Sequence, residues 1–226
     1  MKRFAVYYAP RPGDLAARTA AWLGWNPETR REVTQPDLPA LLCPPAELTR
    51  DPRKYGFHGT IRAPFRLAEG ISPADATAAV EALAARLSPV TCDGLQIEDL
   101  HGFLALIPQG CDDALQALAA AVVEGTDHLR APLTDTEIAR RKPDRLSPRQ
   151  RELLHRWGYP FVMEEFQFHL TLTDSLPEAE RAPVMAALQE HLSPVLPRPF
   201  AIEDLCLFGE DRDGRFHLLH RAALSG

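Results

Sequence analysis

Residues 166–173 alternate without exception. Phe166, Phe168, Leu170 and Leu172 fall on one side of an extended chain, and Gln167, His169, Thr171 and Thr173 on the other. That period of two predicts a strand with one buried and one polar face. The run FHGTIRAPF at 57–65 repeats the pattern, with Phe57 and Ile61 on one side and His58, Thr60 and Arg62 on the other. RFAVYYAP predicts an N-terminal strand followed by a helix near residues 13–25. ADATAAVEALAARL, DDALQALAAAVVEG and PEAERAPVMAALQEHL are alanine- and leucine-rich at helical spacing. Strands are expected near both copies of IEDL, at FLALIP and at RFHLLHRA, with GEDRDG supplying the turn residues of the last hairpin. Ser147, Pro148 and Gln150 read as N-cap, N1 and N3 of a capping box that starts a helix running to about Trp157.

These elements fall into two related halves. LSPV occurs at 87–90 and 192–195, IEDL at 97–100 and 202–205, and the histidine phrases precede both pairs in the same order. The reading is an internal repeat over approximately residues 55–108 and 166–222, with a helical linker over approximately 133–160. FLALIP and RFHLLHRA are taken as the matching last strands of the halves. Strand–helix–strand–strand order predicts an α+β fold: a duplicated, bilobal arrangement of two antiparallel sheets with flanking helices. A pseudo-twofold axis would bring the two histidine strands to one central cleft.

Composition narrows the class. At 226 residues, 45% of them hydrophobic and 25% charged, the chain can bury a sizeable core and is expected to form a single bilobal domain. No apolar run is long enough for a signal peptide or a membrane span, which predicts a cytoplasmic protein. Cys43, Cys92, Cys111 and Cys206 stand apart with no CxxC pair, so free thiols in a reducing compartment are expected. A net charge of −6 makes a long nucleic acid a poor partner and leaves room for a small anionic, phosphorylated one.

Two imidazoles at one cleft suit acid–base chemistry, since one neutral ring can take a proton while a charged one donates. A threonine two residues on sets a hydroxyl on the same face, able to donate to an anionic oxygen. Opening a phosphodiester needs these parts. There is no HExxH, no carboxylate cluster, no GxxxxGK loop and no GxSxG, so neither metal nor cofactor is expected. The site reading is therefore His58 and His169 as catalytic groups, with Thr60 and Thr171 holding phosphate. Arg62 shares their strand face and is an additional candidate. Arg140, Arg141 and Lys142, in a basic run between the halves, are candidates alongside the alternative of a solvated surface. Tyr7 and Tyr8 are read as packing residues, with one at the cleft as the alternative. His217 and His220, three apart on a strand, face opposite ways. His101, His128, His155 and His191 are read as surface residues.

His58-Gly59-Thr60 and His169-Leu170-Thr171 on strands of a duplicated chain resemble the two-histidine (2H) phosphoesterase superfamily. That superfamily includes RNA 2′,3′-cyclic phosphodiesterases and bacterial 2′–5′ RNA ligase-like proteins. YGFHGTIRAPF, ARRKPDRLSPRQRELLHRWGYP and FQFHLTLT resemble a branch encoded beside bacterial phosphonate-degradation genes. The resemblance runs nearly end to end. It implies a bilobal fold and metal-independent cyclic phosphodiester hydrolysis, with a cyclic ribose phosphate of phosphonate catabolism as the associated substrate. Two other readings stand beside it: an RNA 2′,3′-cyclic phosphodiesterase or 2′–5′ RNA-end enzyme, and a non-catalytic cyclic-nucleotide-binding module.

Overall fold

The structure is a computed structural model that describes residues 1–226. Eleven strands run in chain order: β1 Phe4–Tyr8, β2 Trp25–Asn26, β3 Arg31–Glu32, β4 Gly59–Phe65, β5 Val90–Cys92, β6 Gly94–Leu100, β7 Phe103–Gln109, β8 Leu170–Thr171, β9 Phe200–Ile202, β10 Asp204–Glu210 and β11 Phe216–Ala223. The helices are α1 Asp14–Leu23, α2 Pro45–Leu48, α3 Pro52–Tyr55, α4 Pro73–Ala84, α5 Asp112–Gly125, α6 Asp135–Arg140, α7 Pro148–Trp157 and α8 Glu178–Leu192. This is the α+β fold expected, with antiparallel pairing throughout.

The two expected sheets meet. Strands β11-β10-β1-β4 form one, β8-β7-β6 the other, and β4 joins β8 through the single registered pair Gly59 and Leu170. The order of strands reveals an exchange. β1, α1, β4, α4 and β6 follow one another in the first half, as β7, α5, β8, α8 and β10 do in the second. Beside β8, β7 takes the place that β1 takes beside β4. FLALIP thus occupies the position equivalent to FAVYY, whereas the sequence pattern matches it to RFHLLHRA. Each half then lends a strand to the other: β10 pairs with β1, and β6 with β7. Neither half can complete its sheet alone.

One face of the sheet carries the core. Val6 and Tyr8 of β1, Leu104 and Leu106 of β7, and Leu205 and Leu207 of β10 bury themselves with Val80, Leu118 and Leu188 of the covering helices. Burial of this kind contributes roughly 25 cal/mol per Å² of apolar surface and dominates the stability. On the opposite face only a small cluster forms, of Ala5, Tyr7, Ala9, Cys206, Phe208 and Phe216. That thinly covered face is where a cleft can open. The Ser147–Gln150 capping box is present, and its helix ends at Trp157 with Gly158 in the left-handed conformation at the C-terminus.

Four expectations need correction. The strand expected along the alternating run 166–173 forms only at Leu170–Thr171, with its flanking residues outside the ladder. Cys92 and Cys111 are joined in a disulfide, while Cys43 and Cys206 are free. Cys92 ends β5 and Cys111 precedes α5, so chain reversal through β6 and β7 brings together thiols that sequence spacing kept apart. His191 is half-buried with its ring 6.3 Å from that of Trp22, unlike the exposed His101, His128 and His155. Arg62 is displaced by a β-bulge, as described below. No helix is long and apolar enough to cross a membrane.

Candidate active site

Gly59 and Leu170 are the middle residues of HGT and HLT, and they face each other between β4 and β8. One step to either side, antiparallel register sets His58 opposite Thr171 and Thr60 opposite His169. Side chains opposite one another in such a ladder lie roughly 4.5–5.5 Å apart at Cβ. The four polar residues therefore form a compact square about a local twofold through the Gly59–Leu170 pair. Leu170 and Phe168 lie in the main core, so the square faces the thinly covered side. A Cβ on Gly59 would sit 2.2 Å from Cζ of Phe168. Glycine here lets the two strands close over an aromatic ring.

The imidazoles are oriented alike. Nδ1 of His58 lies 2.9 Å from the carbonyl of Gly56, and Nδ1 of His169 lies 3.0 Å from that of Gln167. A carbonyl oxygen only accepts, so each Nδ1 carries the proton and each neutral ring keeps its lone pair on Nε2. In His58 that Nε2 is 3.3 Å from the Thr60 hydroxyl. Burial pushes the His58 imidazolium down to about 4, with the charge of His169 adding to the effect against the Gly56 bond. Burial likewise lowers His169, opposed by the bond to Gln167. At neutral pH the unliganded pair is uncharged.

A cleft of about 410 Å³ opens on this face, lined by His58, Thr60, Thr171, Tyr7, Tyr55 and Tyr159 among others. Tyr7 is 1% exposed, and its ring centroid is 4.0 Å from that of His58. Tyr55 also lines the cleft, with its ring centroid 5.7 Å from that of His58. His169 packs against Phe103 at 5.7 Å, a residue that also lines the cleft. The second histidine strand is anchored by two segments from the first quarter of the chain. Trp22 of α1 donates to the Leu172 carbonyl at 2.8 Å, and Asp174 accepts from the backbone N–H groups of Arg50 and Asp51. The latter bonds hold the segment carrying Tyr55 against the end of β8.

The remaining candidates separate. Arg62 is 3% exposed and turned away from the cleft, donating to the Val123 carbonyl and to Asp127 Oδ1. The cause is a bulge: Tyr7 pairs with Thr60 but Val6 pairs with Arg62, leaving Ile61 as the extra residue. Alternation fails at that point, and Arg62 points to α5. Arg141 reaches the cleft, with its guanidinium 4.7 Å from the Tyr159 ring centroid. Arg140 is exposed and lines an adjoining basin, and Lys142 is exposed at the start of the next turn. Of the two tyrosines on β1, Tyr7 lines the cleft and Tyr8 packs against Phe168 and Phe200. His217 and His220 are engaged elsewhere, with Asp211 at 2.6 Å and Glu81 at 2.8 Å. Tyr55, Tyr159 and Arg3 carry no motif, and only their place beside His58 in space reveals them.

A family described as "Protein of unknown function (DUF1045)" matches residues 60–217, which run from β4 through β10 to the first two residues of β11. The chain belongs to this family. Two curated relatives carry the name ribose 1,5-bisphosphate phosphokinase PhnN. One, from Janthinobacterium sp. (strain Marseille), is 37% identical over 222 residues, covering 95% of this chain and 49% of the relative. The other, from Laribacter hongkongensis (strain HLHK9), is 36% identical over 217 residues, covering 94% and 49%. The chain thus spans about half the length of the curated relatives it matches. Among solved structures, E. coli LigT in apo form aligns at 15% identity with a TM-score of 0.43, covering 100% of this chain and 98% of that one. TT0787 of Thermus thermophilus aligns at 16% identity with a TM-score of 0.46, covering 99% and 98%.

Proposed function

We propose that this protein is a cyclic phosphodiesterase that needs no metal and opens a small cyclic ribose phosphate with His58 and His169 as base and acid. The observation that carries the reading is the pairing of HGT with HLT across Gly59 and Leu170, which sets His58, Thr60 and Thr171 in the lining of one cleft with His169 beside it against Phe103. Water attacks phosphorus while one neutral Nε2 takes its proton. The phosphorus–oxygen bond to the sugar breaks as the other, protonated Nε2 delivers a proton to the leaving oxygen. Water is added and nothing else is consumed. The hydroxyls of Thr60 and Thr171 donate to the non-bridging oxygens as charge builds there. Since burial keeps the free pair uncharged, the anionic substrate brings the compensating charge that lets one imidazole hold a proton.

The relatives' name narrows the sugar. Opening a phosphate bridged across the C1 and C2 oxygens of ribose, at the C2 oxygen, leaves a 1-phosphate. If the sugar also bears a 5-phosphate, the product is ribose 1,5-bisphosphate, the compound in that name. A hydrolase half beside a kinase half would pass one product to the next step.

The test offers a ribose 1,2-cyclic phosphate and an RNA with a 2′,3′-cyclic end together in one tube after dialysis against a strong chelator, with products followed by phosphorus NMR. Preferential opening of the small substrate at an undiminished rate is expected. Preferential use of the RNA end would replace this reading with RNA processing. Tight binding without turnover would make the protein a binding module.

A further inference from the structure

A second basin adjoins the histidine cleft. Its volume is about 680 Å³, and Arg3, Tyr55, Pro64 and Arg141 line both spaces, so the two share a wall. Its charged lining is lopsided: Lys2, Arg3, Arg66, Arg140 and Arg141 stand against Glu137 and Glu210 alone. Over the whole chain the balance is reversed, with 25 lysines and arginines against 31 aspartates and glutamates. Five cations against two carboxylates leave the concavity with an excess of positive charge, which favours an anion there.

The basin is assembled, not left over. Arg3 is held in a fork by Glu210, at 2.5 and 2.9 Å. Arg66, just beyond β4, is held in another by Glu137, at 2.9 Å for both bonds. Glu137 is also the capping residue of α6, bonded to the N-cap Thr134. One carboxylate therefore starts α6, fastens it to the end of β4, and sets its last residue Arg140 and the next, Arg141, over the basin. Lys2 gives one of its three donors to the Arg212 carbonyl at 2.7 Å. Arg140 and Arg141 have no carboxylate partner.

We infer that this basin is a binding site for a second, non-reacting phosphoryl group of the substrate, so that the enzyme selects a cyclic phosphate whose sugar carries another phosphate at a distance. This rests on the cyclic phosphodiesterase reading for what occupies the cleft, but the basin's own ligand is defined by its charge. The basin contains no histidine and no threonine of the square, so it offers binding without chemistry. Binding energy gathered at such a remote group holds the reacting phosphate in line between the imidazoles.

Calorimetry separates the basin from the hydrolase reading. Ribose 5-phosphate, which contains no cyclic phosphate, is titrated into the wild-type protein, Arg140→Gln, the double variant Arg140→Gln/Arg141→Gln, and His58→Ala/His169→Ala. Loss of charge-assisted bonds from two guanidinium groups is expected to weaken its binding about 10- to 100-fold. Arg140→Gln alone, an exposed residue without a partner, takes a share of that loss with no change in melting temperature. The histidine variant is expected to bind as wild type does. Unchanged affinity in the arginine variants, or affinity lost in the histidine variant, would overturn the basin. In parallel, the ratio of specificity constants for a ribose 1,2-cyclic phosphate with and without a 5-phosphate is expected to fall about 10- to 100-fold in the double arginine variant. No turnover of either cyclic substrate, with binding of ribose 5-phosphate still controlled by the arginines, would sink the hydrolase reading and leave the basin standing.

Discussion

The two HxT copies share residues, strand setting and ring orientation, yet their surroundings differ. His58 sits at the edge of a seven-residue strand with Tyr7 against its ring and Tyr55 beyond, and its Nε2 meets Thr60. His169 leads a two-residue strand and touches one aromatic ring, Phe103. The two copies carry the same groups, and packing makes them unequal. Unequal environments suit an acid–base pair, because they push the two pKa values further apart. The more deeply packed His58 is the stronger candidate for the base that starts neutral, and His169 for the acid.

Removing either imidazole tests whether the copies form one unit. His58→Ala and His169→Ala are each expected to lower kcat/KM by ~10²–10⁴-fold, with the double variant little worse than the more damaging single one. Multiplied effects would break the comparison into two independent sites. The threonines come next. Thr60→Val and Thr171→Val are expected to cost on the order of 10²–10³-fold in kcat, as losses of a donor to developing charge, whereas Thr→Ser keeps most of the rate. Equal effects of Val and Ser at one copy would show that copy's threonine to be a packing residue.

The middle residues of the motifs are where the copies differ outright. Leu170→Ala leaves a cavity in the core and is expected to cost ~2–5 kcal/mol in denaturant unfolding. Gly59→Ala fails for the opposite reason, since the new methyl meets the Phe168 ring, and ~1–3 kcal/mol is expected. Adding Phe168→Leu to Gly59→Ala is expected to recover part of that loss. No recovery would place the strain elsewhere.

The smallest effect is on stability against pH. Burial holds the His58 imidazolium near 4 in the folded chain, against 6.5 in the unfolded one. Between those values the unfolded chain binds more protons, so stability rises with pH across the window and is lost as pH falls through it. Melting temperature is expected to climb from about pH 4.5 to about pH 7, with a shallower climb in His58→Asn than in His169→Asn. The reverse order would make His169 the more strongly desolvated copy and exchange the proposed roles.

How much of this was legible beforehand depends on distance along the chain. Local periodicity determined β1, β4, the helices α1, α4, α5 and α8, and the capping box that opens α7, because caps and alternating faces act within a few residues. It also set each histidine on the same strand face as its threonine. Tertiary structure decided the rest. A strand's neighbours are chosen by what completes the sheet and its core, so the exchange of β6 and β10, and the equivalence of β7 to β1, have no local signal. Register across β1 and β4 created the bulge that turned Arg62 to Val123 and Asp127. Chain reversal joined Cys92 to Cys111. Tyr55, Tyr159, Arg3 and Arg141 come from four separate stretches, and they meet because the sheet face left uncovered by helices is the one to which all four are carried.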